Sequence, residues 1–565
     1  MPTTDLDALI ARHRPTLERA LDACRSRESW SPFSDSPSTA VHGPEKPAAG
    51  KAAVEALFGR PFPLEQPGTI GWIGEEVSPY TRRALGVTYP KADPAALIAA
   101  AEAAMPAWIA AGPEARVALC LEMIARTYDR VFEIAHAVMH TAGQPYIQAY
   151  AGSGPNALDR GVEAVAYAAR AMAEVVPAAV WTRPFGPDAP VLEKRFEIRP
   201  RGIGLVICCA SFPTWNAWPA LFASLATGNP VIVKPHPGGV LPMAISVAIC
   251  RDTLARSGFD PNLVTLAVDS AAEPVALRYV DHPAVQIVDF TGSPRFGQHL
   301  ERTVTGKLLF TETAGVNSVV MHSTDDPDGM VRAVAFACAY FSAQMCTSPQ
   351  VLFIPAEGVA TPAGRIGYEA LCASLVAEWN LIAGNPKQAA AVFGAVQSEA
   401  SLALLDRVAA AAEAMGGRIL RRHAPYAHPE FPDARTTSPL AIACDPGLQA
   451  LYAEEHFAPV VFLVRSADAD AALAEATHLA RTRGAISAYL YATEPGFLER
   501  AFAAYAAAGT NVSANLTGRM PINFLAAYSD YHVTGLNPAG NACLTDAAFV
   551  AGRFRIVQRR WPRVA

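Results

Sequence analysis

Gly228-Asn229-Pro230-Val231-Ile232-Val233-Lys234-Pro235 sets a short β-branched run between turn-forming residues. A run without polar alternation is the mark of a parallel strand covered on both faces. Val285-Gln286-Ile287-Val288-Asp289-Phe290 repeats the pattern and leads into Thr291-Gly292-Ser293, with Gly297 just beyond. The most apolar stretch, 203–233, is interrupted by Pro213, Asn216, Pro219, Gly228, Asn229 and Pro230, so it reads as strand, turn, helix and strand. Strands alternating with helices predict an α/β fold with a parallel sheet. Such sheets bind ligands outside the carboxyl ends of their strands, where Lys234 falls. No GxGxxG motif is present; instead, the helix start around Gly292, Ser293 and Gly297 can offer free backbone N–H groups to an anion.

Farther along, Glu312 stands in Phe310-Thr311-Glu312-Thr313-Ala314-Gly315-Val316-Asn317. Cys346 follows 34 residues later, in Phe341-Ser342-Ala343-Gln344-Met345-Cys346-Thr347-Ser348. A thiol nucleophile and a carboxylate base suffice to capture an aldehyde, let it be oxidised and hydrolyse the thioester that results. The chain has 10 cysteines with no CxxC spacing and one adjacent pair, Cys208 and Cys209, so they form neither a disulfide nor a zinc framework. Most are expected to be small apolar core residues.

These phrases, with Gly204-Leu205-Val206-Ile207-Cys208 before them and Glu455-His456-Phe457-Ala458-Pro459-Val460 after, resemble the ordered signature of the aldehyde dehydrogenase superfamily over residues 95–535. The resemblance implies a Rossmann-type cofactor domain interleaved with an α/β catalytic domain and a small β oligomerisation arm. Its boundaries would be 66–180 with 204–312 for the dinucleotide-binding domain, 313–535 for the catalytic domain, and 181–203 with 536–565 for the arm. Residues 1–65 would be an N-terminal extension. Cys346 would be the nucleophile, and Glu312 the base that activates water, a base that coenzyme A-acylating relatives generally lack. Lys234, Gly292, Ser293, Gly297, Glu455 and Phe457 would bind a nicotinamide dinucleotide, Lys234 on its adenosine side, Glu455 at the nicotinamide ribose hydroxyls and Phe457 against that ribose. A hairpin around Gly186-Pro187-Asp188 and a strand over 553–559 would build the arm of a homodimer or a dimer of dimers. Gln344 carries no chemical role.

Two departures from the family pattern bear on function. NAD-preferring relatives carry a glutamate three residues after the strand-end lysine, whereas this chain has Pro237 there, beside His236. Without that carboxylate to repel a 2′-phosphate, NADP is the expected acceptor, with NAD the alternative. Relatives also place an oxyanion-binding asparagine 23 residues before the lysine; that position is Ser211 here, and Asn216 is displaced by five. Either side chain could donate to the developing alkoxide, with Ser211 preferred.

Ser78-Pro79-Tyr80-Thr81-Arg82, the 209–216 stretch and the extension are similar to the phenylacetic acid degradation (PaaN) type, without the hydratase domain of fused relatives. That similarity implies a coenzyme A-linked semialdehyde from an opened aromatic ring. The alternatives are another aldehyde, such as the semialdehyde of the benzoyl-coenzyme A pathway, and a catalytically silent dinucleotide-binding protein.

A net charge of −6 with no long basic run offers nothing to nucleic acid, so a small molecule is the expected partner. The first residues lack a basic patch before an apolar core, and no segment holds about 18 uninterrupted apolar residues, which predicts a cytosolic protein without membrane association. His136 and His140 lie one helical turn apart, but with no third ligand a hydrogen-bonded helix face is the reading preferred over a metal site. Within the extension, Asp5 to Cys24 reads as an amphipathic helix, and Ser29 to Gly50, rich in Ser, Pro and Gly, as loop.

Overall fold

The computed structural model describes residues 5–187, 189–313, 315–518, 521–531 and 546–563. Asp188, at the tip of the expected hairpin, and residues 536–545 of the expected arm lie outside them.

Both runs expected as buried strands are central in one five-stranded parallel sheet, whose order is Val264–Leu266, Val231–Lys234, Ile203–Ile207, Val285–Gly292, Leu308–Thr313. The chain enters at the middle strand, builds outward on one side, then returns to build on the other. Strand order therefore reverses between Ile203–Ile207 and Val285–Gly292, and the crevice beyond their carboxyl ends is where such sheets take ligands. Register places Ile207 beside Lys234 and Thr291 beside Glu312, so the expected site residues leave the sheet at one edge.

Asp289 lies within this apolar sheet and is buried because Arg553 meets it with two bonds, at 2.6 and 2.8 Å, while also donating to Ser224 Oγ at 2.8 Å. Bidentate geometry with further hydrogen bonds is what lets a buried ion pair offset its desolvation.

A second sheet of seven strands runs Arg418–Arg421, Leu440–Cys444, Val460–Ser466, Val351–Pro355, Ser318–Met321, Ser487–Tyr491, Asn511–Ala514. All its pairings are parallel except that of the edge strand Arg418–Arg421. Cys346 sits in the connection that leads into Val351–Pro355, a strand near the centre of the order.

The hairpin and the C-terminal strand expected of an arm come together as an antiparallel three-stranded sheet, Ala178–Thr182, Val191–Pro200 and Phe554–Pro562. Val180, Ile556, Val557 and Trp561 leave apolar surface on it.

In the extension the expected first helix is present, and the stretch after it departs from the sequence reading. Its first helix, Leu6–Ser26, is capped by Asp5 and buries Leu9, Ala20, Ala23 and Cys24 in the same core as the helices preceding the first sheet. The stretch expected as loop also contains two helices, Thr39–His42 and Glu45–Glu55. Ser38 caps the first through its hydroxyl. Gly50 lets the second approach Val131–Ala142 so closely that an added Cβ would fall 2.4 Å from Phe132 Cβ. The glycine that reads as a loop residue is thus a helix-packing residue.

His140 lies on that same helix, with Nδ1 2.9 Å from Ser78 Oγ, and burial pushes both it and His136 down to about 4. They are therefore neutral, packed imidazoles near pH 7. Among the described residues no single helix is long and apolar enough to cross a membrane.

Candidate active site

Glu312, at the end of an edge strand, is 3% exposed, and its Oε1 accepts a 2.9 Å hydrogen bond from Asn216 Nδ2. Asn216 is buried at the start of the helix Ala217–Ala226. Ser211 lies in the turn between Ile203–Ile207 and that helix, half-buried, its carbonyl accepting from Gln144 Nε2 at 2.8 Å. Both candidate oxyanion donors thus stand beyond the strand that begins the switch point, and the asparagine is the one engaged with the carboxylate.

The turn that leads to Cys346 has an unusual backbone. Phe341, Ser342 and Ala343 all have φ between 50° and 52°, a left-handed run without a glycine. Such conformations cost about 1 kcal/mol or more each and persist where surrounding contacts impose them. Those contacts are visible: Ser342 Oγ donates to Phe393 O at 3.0 Å, and Gln344 donates to Ala395 O at 3.2 Å while accepting from Gln397 N at 2.9 Å. Gln344, with no chemical role in the sequence reading, is a brace for the turn.

Asn317 ties the same turn to the second sheet, donating to Cys346 O at 2.7 Å and Ser348 O at 3.1 Å while accepting from the N–H groups of Ile486 and Ser487. Thr347 completes the frame through its bond to Asn523 O at 2.9 Å.

Burial, then the nearby Glu312, Cys209 and Glu455, holds the Cys346 thiol well above its ordinary range. The four groups therefore share one electrostatic environment. In it the resting thiol is protonated, and its activation requires proton removal or an approaching positive charge.

At the carboxyl end of its strand, Lys234 is buried with Nζ 2.7 Å from Asp269 Oδ1. His236 is lowered by burial and by Lys234, so it is neutral near pH 7 and adds no cation beside the lysine. Ser293 caps the helix Pro294–Thr303 through its hydroxyl, which occupies one of the N–H groups the sequence reading left free. Gly297 is required by packing: a Cβ there would lie 2.6 Å from Thr313 Cγ2.

Glu455 and Phe457 line a small cleft with Met345 and Ser348, next to the turn that carries Cys346. Gln350 holds Glu455 from both flanks, donating to Glu454 O and accepting from His456 N, each at 2.8 Å. Burial pushes the Glu455 carboxyl up to about 8. A raised carboxyl beside an aromatic ring, in the cleft that adjoins the Cys346 turn, suits a ligand that brings hydroxyl donors, so the residues present fit a nicotinamide ribose. A much larger cleft of about 1470 Å³, between Leu6–Ser26 and Val191–Pro200, contains none of the expected site residues.

Asp269, Asn317 and Gln350 were not singled out by sequence reasoning. Asn317 ends the quoted Glu312 phrase and Gln350 lies four residues after Cys346, so proximity to a motif was the available signal. Asp269 had none.

The family model for the aldehyde dehydrogenase family matches residues 74–525. A solved NAD-dependent aldehyde dehydrogenase from Burkholderia multivorans is 42% identical, covers 99% of both chains and superposes with a TM-score of 0.95. Vanillin dehydrogenase from Pseudomonas fluorescens is 26% identical, over 75% of this chain and 80% of its own. A 1-pyrroline-5-carboxylate dehydrogenase variant from Thermus thermophilus, 21% identical, shares the fold over 94% of this chain and all of its own with a TM-score of 0.74. The chain belongs to the aldehyde dehydrogenase family. It is an enzyme that oxidises aldehydes with a nicotinamide dinucleotide as acceptor.

Proposed function

We propose that the chain oxidises a coenzyme A-linked semialdehyde, released when an aromatic ring is opened in phenylacetate-type degradation, to the free carboxylic acid in the cytoplasm. The observation that carries the hydrolytic reading is the buried Glu312 in the environment of Cys346, oriented by Asn216. In this reading Cys346 loses its proton and its sulfur bonds to the aldehyde carbon, giving an alkoxide. Collapse of the alkoxide expels hydride and leaves a thioester on Cys346; a bound nicotinamide dinucleotide supplies the acceptor. Glu312 then takes a proton from water, the resulting hydroxide attacks the thioester, and the acid leaves with the thiolate restored. Lys234, Glu455 and Phe457 would hold the dinucleotide.

Because Asn216 Nδ2 is engaged with Glu312, Ser211 is the proposed alkoxide donor, alongside a backbone N–H of the nucleophile turn. Ser211→Ala is expected to lower kcat/KM about 10²-fold. Asn216→Ala is expected to slow thioester hydrolysis while leaving the first hydride transfer near the wild-type rate, as single-turnover kinetics would show. Full activity in Ser211→Ala with loss of hydride transfer in Asn216→Ala would reverse the two roles.

Pro237 presents no carboxylate to a 2′-phosphate, and Lys234, although paired with Asp269, keeps further N–H donors. A higher kcat/KM with NADP than with NAD is therefore expected; the relative from Burkholderia, described as NAD-dependent, sets the opposing precedent. Assays with both cofactors over a panel of aldehydes decide acceptor and substrate together. A clear NAD preference overturns the first reading. Better turnover of the benzoyl-coenzyme A pathway semialdehyde, or of simple aldehydes, overturns the second. The apolar side chains left exposed on the arm sheet support a proposed homodimer or dimer of dimers.

A further inference from the structure

The N-terminal extension reaches the active site through a chain of contacts that begins at Arg27. This residue ends the first helix in a left-handed conformation, with φ 60°, which turns the following segment across the face of the molecule. Its carbonyl accepts from Ser529 Oγ at 3.0 Å, and its guanidinium lies 3.9 Å from the ring centroid of Tyr531. Trp30 packs on Tyr528 with ring centroids 5.4 Å apart, and Tyr528 is itself fully buried with φ 64°. The segment 523–531 is thus held from the extension side at three of its last four residues.

Its other side faces the chemistry. Asn523 O accepts from Thr347, the residue after the nucleophile. Ala526 O and Asp530 O accept from the fully buried Arg160, whose guanidinium also lies 5.6 Å from the ring centroid of Trp215. Trp215 precedes Asn216, the partner of Glu312. Glu163 links the two arginines, with one oxygen 3.6 Å from Arg27 and the other 2.9 Å from Arg160.

We propose that Arg27 and Trp30 are positioning residues for aldehyde oxidation: the extension braces 523–531, and that segment fixes the nucleophile turn and the tryptophan beside the base partner. The inference rests on the catalytic reading of Cys346 and Glu312. A cationic stack on an exposed ring and an indole packed on a left-handed tyrosine oppose local opening of this segment. Loose support of this kind weakens productive aldehyde binding, because a small displacement of the turn removes the bound geometry in which sulfur and carbonyl carbon meet.

The test uses the full chain with Arg27→Met, Arg27→Lys and Trp30→Ala, and with Glu18→Gln on the exposed face of the same helix as a control. In Arg27→Met and Trp30→Ala, amide exchange over 523–531 is expected to accelerate while exchange over 231–240 stays as in the wild type. The aldehyde KM is expected to rise about tenfold with the cofactor KM within about twofold, and Arg27→Lys to recover most of the loss. Unchanged exchange over 523–531 overturns the brace. So does faster exchange with an unchanged aldehyde KM, or a parallel rise in both KM values, which would mark general destabilisation. The exchange measurement does not depend on turnover, so failure of the brace is distinguishable from failure of the catalytic reading, which Cys346→Ala tests directly.

Discussion

Cys346→Ala is expected to lower reduced-cofactor formation by about 10⁴-fold or more, because removing a nucleophile eliminates the covalent route rather than weakening it. The turn that carries this residue is left-handed at three consecutive non-glycine positions and tied down by Ser342, Gln344, Asn317 and Thr347. That outlay in strain and buried hydrogen bonds makes sense if the position of one sulfur matters. Cys209 is the competing candidate: among the described cysteines, it and Cys346 alone are not fully buried. Cys209→Ala should therefore keep most of the activity, and a Cys346→Ala enzyme that still turns over would move the nucleophile to Cys209. The pH dependence follows from the direction of the shift. Burial and neighbouring carboxylates raise the thiol, so the thiolate fraction, and with it the rate of the hydride-transfer step, grows as pH rises into the alkaline range. A first-turnover rate that falls as pH rises would contradict that assignment.

How far the sequence could be read differs between its two kinds of information. Val231–Lys234 and Val285–Gly292 were legible because short β-branched runs have few alternatives to a buried strand. Cys346, Glu312, Glu455 and Lys234 could be put forward as candidates because each lies inside a recognisable phrase. The choice between Ser211 and Asn216 was not legible, because counting residues from Lys234 does not say how the turn 208–216 folds, and it is that turn which carries Asn216 to Glu312. Asp269 pairs with Lys234 from a neighbouring strand's end, a meeting across 35 positions that no local pattern records. The extension was the poorest reading for a related reason. Arg27 takes up a left-handed helix cap that usually falls to glycine, and Gly50 lies inside a helix, so both residues contradict the local rules that tertiary packing overrides.

Glu312→Gln is expected to separate the two halves of the reaction. The amide keeps the size of the side chain and its oxygen can still accept from Asn216, so the pocket should keep its shape. It cannot take a proton from water, so thioester hydrolysis is expected to slow by about 10²–10⁴-fold. Mixing the variant rapidly with aldehyde and cofactor should give a burst of about one reduced cofactor per subunit, followed by slow turnover, and mass spectrometry should find the acyl group on Cys346. Wild-type turnover in the variant would remove Glu312 from the mechanism. Loss of the burst, with no acyl adduct, would instead place Glu312 before hydride transfer, as the group that deprotonates Cys346. The raised thiol makes that second outcome chemically reasonable, since a protonated sulfur beside a buried carboxylate needs a proton acceptor before it can attack. The burst amplitude therefore decides whether this carboxylate serves water alone or the sulfur as well.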